Sequence, residues 1–105
     1  RAIVSSSALI GEGCIIEANA VVGPGARLGN DCIVNVGAVV SHDCQIGDHV
    51  HIAPAATLAG DVTVGDRSII GMSATVYLGV TIGSNVLVRN GQNIFTNVPD
   101  GTETR

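Results

Sequence analysis

Apolar residues recur at every sixth position along almost the whole chain. From Val4 in steps of six to Ile94, all sixteen positions hold Ile, Leu or Val, and no insertion breaks the register. The position four residues further on is small or Val from Ala8 to Val86, and this rule fails at Gln92. One large and one small inward residue in every six predict a short strand followed by a turn, because this period fits neither an α-helix nor a hairpin.

Three such units predict a triangular coil of 18 residues. Each coil would stack on the previous one at the strand spacing of about 4.8 Å. We therefore predict an all-β parallel β-helix of about five triangular coils over residues 1–98, with a C-terminal tail at 99–105. The repeat resembles that of the hexapeptide-repeat acyltransferases, and this resemblance alone implies that the β-helix is left-handed.

The residue before each large inward position should point outward, which gives the coil three outer faces. One face is polar enough for solvent. The other two are apolar enough to need a partner, so we predict that they pack against neighbouring copies in a closed homotrimer, as the resemblance also implies. The polar face holds Leu9, Arg27, Gln45, Thr63 and Thr81, the second Ile3, Val21, Val39, Thr57 and Thr75, and the third Ile15, Ile33, His51, Ile69 and Leu87.

Composition excludes several classes of partner. The net charge is −4, with five Arg and no Lys, so we expect no nucleic-acid partner. No apolar run approaches the roughly 20 residues of a membrane span, so we expect no membrane partner. An odd number of cysteines favours the reducing cytoplasm, with Cys14 and Cys32 stacked as two thiols rather than as a disulfide or metal site. The start at Arg1 in mid-pattern suggests a fragment of a longer chain.

The candidate chemistry lies around His42. Stepping by 18 places His42 one rung from Gly60, so a potential base should lie beside a backbone N–H that no side chain covers. Acyl transfer needs a base for the attacking amine or hydroxyl and a donor for the oxyanion. Asp43 could hold Nδ1–H of His42 and fix its tautomer. The alternative is that His42 and Asp43 are ordinary turn residues.

The stretch NVGAVVSHDCQIGDHVHIAPAATLAG, from Asn35 to Gly60, is similar to the bacterial sialic-acid O-acetyltransferases and nucleotide-amino-sugar N-acetyltransferases. The resemblance implies an acetyl-CoA-dependent enzyme that acetylates a sugar without a metal. It implies that His42 is the general base, Asp43 its orienting acid and Gly60 N–H the contact to the thioester carbonyl. It also implies that His51 lines the acetyl pocket, and we expect His42 to meet His51 of the neighbouring chain.

The same resemblance places the pantetheine arm of CoA toward the C-terminal coils. The matching positions are Gly71 and Met72, then Asn90 and Gly91, with Arg89 as a candidate contact for a CoA phosphate or as a solvated corner residue. The chain departs from its relatives at Arg89–Gln92 and in the tail. These departures leave the site of the CoA nucleotide open.

Two other functions remain open. One is a non-catalytic trimeric scaffold, because a regular repeat needs no activity to explain its core. The other is a γ-type carbonic anhydrase-like zinc hydratase, which needs three histidines that converge across an interface. His42, His49 and His51 do not have that family's spacing, and His49 is expected to be a solvated corner residue stacked under Arg67.

Overall fold

The computed structural model describes all 105 residues and contains only short strands joined by turns. Each strand has two residues, the first pointing outward and the second inward, because successive side chains on a strand alternate. The strands are β1 (Ile3–Val4), β2 (Leu9–Ile10), β3 (Ile15–Ile16), β4 (Val21–Val22), β5 (Arg27–Leu28), β6 (Ile33–Val34), β7 (Val39–Val40), β8 (Gln45–Ile46), β9 (His51–Ile52), β10 (Thr57–Leu58), β11 (Thr63–Val64), β12 (Ile69–Ile70), β13 (Thr75–Val76), β14 (Thr81–Ile82), β15 (Leu87–Val88) and β16 (Asn93–Ile94).

Every third strand joins the same parallel sheet, so the chain is a three-sided parallel β-solenoid of about five coils. One sheet has the order β1-β4-β7-β10-β13-β16, a second β2-β5-β8-β11-β14, and a third β3-β6-β9-β12-β15. Paired residues are 18 apart, as Ile3 with Val21 and His51 with Ile69. The predicted coil length and the three predicted outer faces are confirmed.

The core is a single column of aliphatic side chains inside the coils. The large inward residues from Val22 to Val88 and the small ones from Ala20 to Val86 are almost fully buried. Ser68 is the one buried polar residue, and its hydroxyl donates to the carbonyl of Gly83 and accepts from Val86 N–H. A polar group at an inward position is tolerated here because both of its hydrogen-bonding functions are satisfied.

The corners depend on left-handed backbone. One residue of every repeat from Gly13 to Gly91 has a φ between 54° and 74°, and nine of these residues are not glycine. Ala55 and Arg67 gain nothing from this conformation, which favours Gly, Asn and Asp. The turn geometry of the coil therefore overrides the preference of the individual residue.

The last residues continue along the top of the solenoid. Val98 pairs with Ile82 and Glu103 with Leu87, at a spacing of 16 residues instead of 18. Gln92, the one residue four places after a large inward position that is neither small nor Val, contacts the hydroxyl of Thr104 in this segment. The chain has no helix that meets the length and hydrophobicity needed to cross a bilayer.

Candidate active site

His42 packs directly onto Gly60. A Cβ added to Gly60 would lie 2.2 Å from Nε2 of His42, so the imidazole occupies the space that any other side chain would need. The φ of Gly60 is not in the left-handed region, and the glycine is therefore needed for space rather than for conformation. The backbone pairs here too, since Asp61 N–H donates to the carbonyl of His42 at 3.0 Å. The prediction that positions 42 and 60 are stacked neighbours is confirmed.

The imidazole of His42 is oriented by the next residue. Its Nδ1 lies 3.1 Å from Oδ2 of Asp43, and Asp43 takes a φ of 60° to reach it. With Nδ1–H donating to the carboxylate, the neutral ring presents an unprotonated Nε2 toward Gly60. The N–H of Gly60 donates to no group in the chain, although the residue is buried beneath the ring. A proton acceptor and a free N–H donor therefore share one corner.

A second carboxylate, which the sequence reasoning did not single out, lies at the same corner. Asp61 follows Gly60, is exposed, and has an oxygen within 4.8 Å of a ring nitrogen of His42 and of an oxygen of Asp43. The signal was available, because Asp61 stands 18 residues after Asp43 in the same left-handed position. This donor set contains a single histidine, so it does not resemble the three-histidine site of the zinc hydratase.

His51 is oriented by Asn35, a second residue that the sequence did not mark as part of the site. Nδ2 of Asn35 lies 3.1 Å from Nε2 of His51, while its Oδ1 accepts from Val36 N–H at 2.8 Å. The Val36 N–H therefore fixes the amide orientation, and Nε2 of His51 must be the acceptor. A neutral His51 then carries its proton on Nδ1, on a half-buried side chain of the third face.

The residues expected to hold CoA lie on another corner. Gly71 is buried, and a Cβ there would be 2.6 Å from the backbone of Asn90. Met72 N–H donates to Oδ1 of Asn90, so these two positions are linked across one rung. Arg89 forms an ion pair with Glu103 from the last segment. A concavity of about 440 Å³ lies beside Leu87, Arg89 and Asn90.

His49, Cys14 and Cys32 lie apart from the His42 corner, whereas the buried thiol of Cys44 lies beside it and donates to the carbonyl of Ala59. His49 is exposed, and its Nε2 is 3.9 Å from Oδ2 of Asp31. Cys14 and Cys32 occupy stacked inward positions, where each thiol donates to a backbone carbonyl. Burial raises the pKa of the Cys32 and Cys44 thiols above the ordinary value of 9.0. A raised pKa keeps a thiol protonated and unreactive at neutral pH.

An exposed aromatic pair stands above the His42 corner. Tyr77 and Phe95 lie one and two rungs above Ala59, with their ring centroids 5.8 Å apart and their planes tilted by 47°. With Thr57 and Thr75 they line a mainly apolar concavity of about 220 Å³ on the second face.

The repeat and the solenoid define the class of protein. The chain belongs to the bacterial transferase hexapeptide family: its model of six repeats matches residues 7–42, 25–60 and 43–78. Comparison with curated protein sequences gives no match.

Solved structures give closer relatives. The acetyltransferase domain of PglB from Neisseria gonorrhoeae is 42% identical with a TM-score of 0.97, over 97% of this chain and 50% of that one. It has also been solved with acetyl coenzyme A. The GDP-perosamine N-acetyltransferase of Caulobacter crescentus, a mutant solved with CoA and GDP-perosamine, is 39% identical with a TM-score of 0.96, over 97% and 49% of the two chains. The chain thus spans about half the length of these relatives.

Proposed function

We propose that this chain is the acetyltransferase domain of an enzyme that moves an acetyl group from acetyl-CoA to the amine of a bacterial nucleotide sugar. The observation that carries the proposal is the placement of the His42 imidazole on Gly60, whose N–H has no partner in the chain. The solved relatives support both substrates, because their structures hold acetyl-CoA, or CoA with GDP-perosamine. An amine is favoured over a hydroxyl because the Caulobacter relative is an N-acetyltransferase.

The geometry supports a direct transfer. The amine nitrogen attacks the thioester carbonyl carbon while Nε2 of His42 accepts a proton from it. The carbonyl oxygen becomes an oxyanion that accepts a hydrogen bond from Gly60 N–H. The C–S bond then breaks, the CoA thiolate takes the proton from the His42 imidazolium, and the amide and free CoA are released. Asp43 holds the ring in this orientation through Nδ1.

The complete site is proposed to form between chains of a left-handed, homotrimeric β-helix. Ile15, Ile69 and Leu87 are exposed on the third face, which supports its covering by a neighbouring copy. His51 lies on that face and His42 beside the second, so we place His51 of one chain in the acetyl pocket of its neighbour. CoA would extend past Gly71, Met72 and Asn90, with Arg89 released from Glu103 to meet a phosphate. Its need for acetyl-CoA and its buried thiols suit the cytoplasm.

The first test is acetyl transfer to GDP-perosamine and related nucleotide amino sugars, measured as release of free CoA. We expect turnover by the unchanged chain and a loss of at least about 100-fold in His42→Ala. His49→Ala is the matched control, because this histidine lies away from the corner, and it should keep full activity. Unchanged turnover in His42→Ala would remove this residue from the role of base. Failure of the chain to bind acetyl-CoA in calorimetry would instead favour the scaffold function.

The shared site can be tested with mixed trimers. His42→Ala and His51→Ala should each be inactive, because each lacks one half of every site. When the two are unfolded together and refolded at equal amounts, about one quarter of the sites regain both histidines from different chains. Recovery of about that fraction of activity supports a site between chains. If the mixture stays inactive, both histidines must act within one chain or not at all.

A further inference from the structure

Asp61 is the one aspartate whose carboxylate has no partner in the chain. Asp48, Asp66 and Asp100 each accept a backbone N–H from the rung below. The other two face histidines, Asp31 at 3.9 Å from His49 and Asp43 at 3.1 Å from His42. The Asp61 side chain forms neither a hydrogen bond nor an ion pair, so it has no structural task that explains a charge at this position.

The unpaired carboxylate lies beside the proposed base and the proposed oxyanion donor. Asp61 follows the proposed oxyanion donor Gly60, and a carboxylate oxygen lies within 4.8 Å of a ring nitrogen of His42. Its backbone is fixed, because its N–H donates to the carbonyl of His42 and its φ is 59°. No arginine forms an ion pair with it, since the only arginine pair in the chain is Arg89 with Glu103.

We propose that Asp61 binds the cationic amino group of the acceptor and thereby selects amino sugars over their hydroxyl counterparts. An amine of a sugar is largely an ammonium ion at neutral pH, with three N–H donors and a positive charge. The corner offers two acceptors that suit it, the Asp61 carboxylate and Nε2 of His42. Charge-assisted hydrogen bonds of this type are stronger than those between neutral groups. This inference rests on the proposed function and names the substrate group that the site recognises.

Binding of the ammonium form fits the transfer step. The bound ammonium loses one proton to water and becomes the neutral amine that attacks the thioester. The product is a neutral acetamide, which no longer pairs with the carboxylate. Asp61 therefore distinguishes acceptor from product, and its loss should weaken binding of the acceptor more than binding of acetyl-CoA.

The experiment compares glucosamine with glucose, its hydroxyl counterpart, as simple charged and neutral probes at about pH 7, where an aliphatic amine of this kind is mostly protonated. Binding is followed by NMR from the amide shifts of Gly60 and Asp61. The unchanged chain should bind glucosamine about fivefold more tightly, and Asp61→Asn should lose this preference. Asp31→Asn is the matched control, because Asp31 has a φ of 57° at another corner, and it should keep the preference.

Two results would overturn the inference: equal binding of both sugars by the unchanged chain, or an undiminished preference in Asp61→Asn. Because this readout needs no turnover, it separates the inference from the proposed function. Absence of acetyl transfer with an intact amine preference would reject the enzyme and keep the binding role. Where transfer occurs, Asp61→Asn should raise KM for the amino sugar several-fold and leave KM for acetyl-CoA unchanged.

Discussion

Asn35 determines which ring nitrogen of His51 carries the proton. The amide of Asn35 is anchored by Val36 N–H and donates to Nε2 of His51 at 3.1 Å. The proton of the neutral ring therefore resides on Nδ1, which is then the nitrogen available as a donor. An acetyl pocket that is to hold a carbonyl oxygen needs such a donor.

Asn35→Asp should reverse this tautomer. A carboxylate can only accept, so Nε2 of His51 would have to carry the proton and Nδ1 would lose it. The ¹⁵N shifts of the ring report the change directly. We expect acetyl transfer to fall about tenfold or more, as when one positioned donor is removed, while the melting temperature changes little. An unchanged tautomer in the spectrum would contradict the assignment.

Gly60→Ala should displace the His42 imidazole. The added Cβ would need the space that Nε2 now occupies, so ring and oxyanion donor cannot both keep their positions. Acetyl transfer should fall by about 100-fold or more, with the circular dichroism of the solenoid retained. Gly79→Asn is the control, because Gly79 lies at the same corner with open space around it and a φ that Asn tolerates. Equal losses of activity in both variants would show that a change in the turn, and not displacement of the His42 ring, is the cause.

Ile69→Glu should prevent assembly into a trimer. Ile69 is 42% exposed in the single chain and lies on the third face, where a buried carboxylate would lack a partner. Sedimentation should show a monomer for this variant and a trimer for the unchanged chain. Thr63→Glu, at the same place in its rung on the polar face, should remain trimeric. A monomeric unchanged chain at micromolar concentration would reject the predicted ring.

Stability should fall at alkaline pH because of the buried thiols. Burial raises the pKa of Cys44 in the folded chain, so above about pH 9 the unfolded chain loses this proton first. Unfolding then releases a proton, and the free energy of unfolding decreases as pH rises toward the folded pKa. Cys44→Ala should reduce the difference between urea midpoints at about pH 8 and pH 10. Ser68→Ala, also inward but not ionisable, should leave that difference unchanged.

Ala55→Gly should stabilise the chain. Ala55 is exposed with a φ of 60°, a conformation that costs a residue with a Cβ about 1 kcal/mol and glycine almost nothing. Urea unfolding should therefore show a gain smaller than that, because the greater freedom of glycine in the unfolded chain offsets part of it. Ala56→Gly is the opposite case, because Ala56 is fully buried in the core and its replacement should destabilise. A loss of stability in Ala55→Gly would contradict the conclusion that the left-handed conformation is unfavourable for Ala55.

The sixfold spacing was sufficient to predict the architecture. From β3 to β16 the second residue of each strand is more buried than the first, so the apolar positions alone specify the coil length, the three faces and the stacking of His42 on Gly60. Stepping by 18 works because the solenoid has no insertion before Ile94. The step fails in the last segment, where Glu103 pairs with Leu87 at a spacing of 16.

Side-chain contacts within the site were harder to predict. Asn35 and His51 are 16 residues apart in the sequence. Residues that stack on one another are 18 apart, so the stacking period does not predict this contact. The pairing of Arg89 with Glu103 depends on the same shortened segment. The 18-residue period does place Asp61 one rung from Asp43, but the absence of any partner for its carboxylate is visible only in the coordinates.

The ladder arrangement also has a consequence for robustness. Each coil touches only the coils directly above and below it. Local unfolding that starts at one end of the solenoid therefore becomes less probable with every further coil that must open. His42 and Gly60 belong to the central coils, flanked on both sides by complete rungs. Fraying of the outermost turns should thus leave the reactive corner insulated, and a probe at Ile10 or Phe95 should record local opening well before one at Gly60 does.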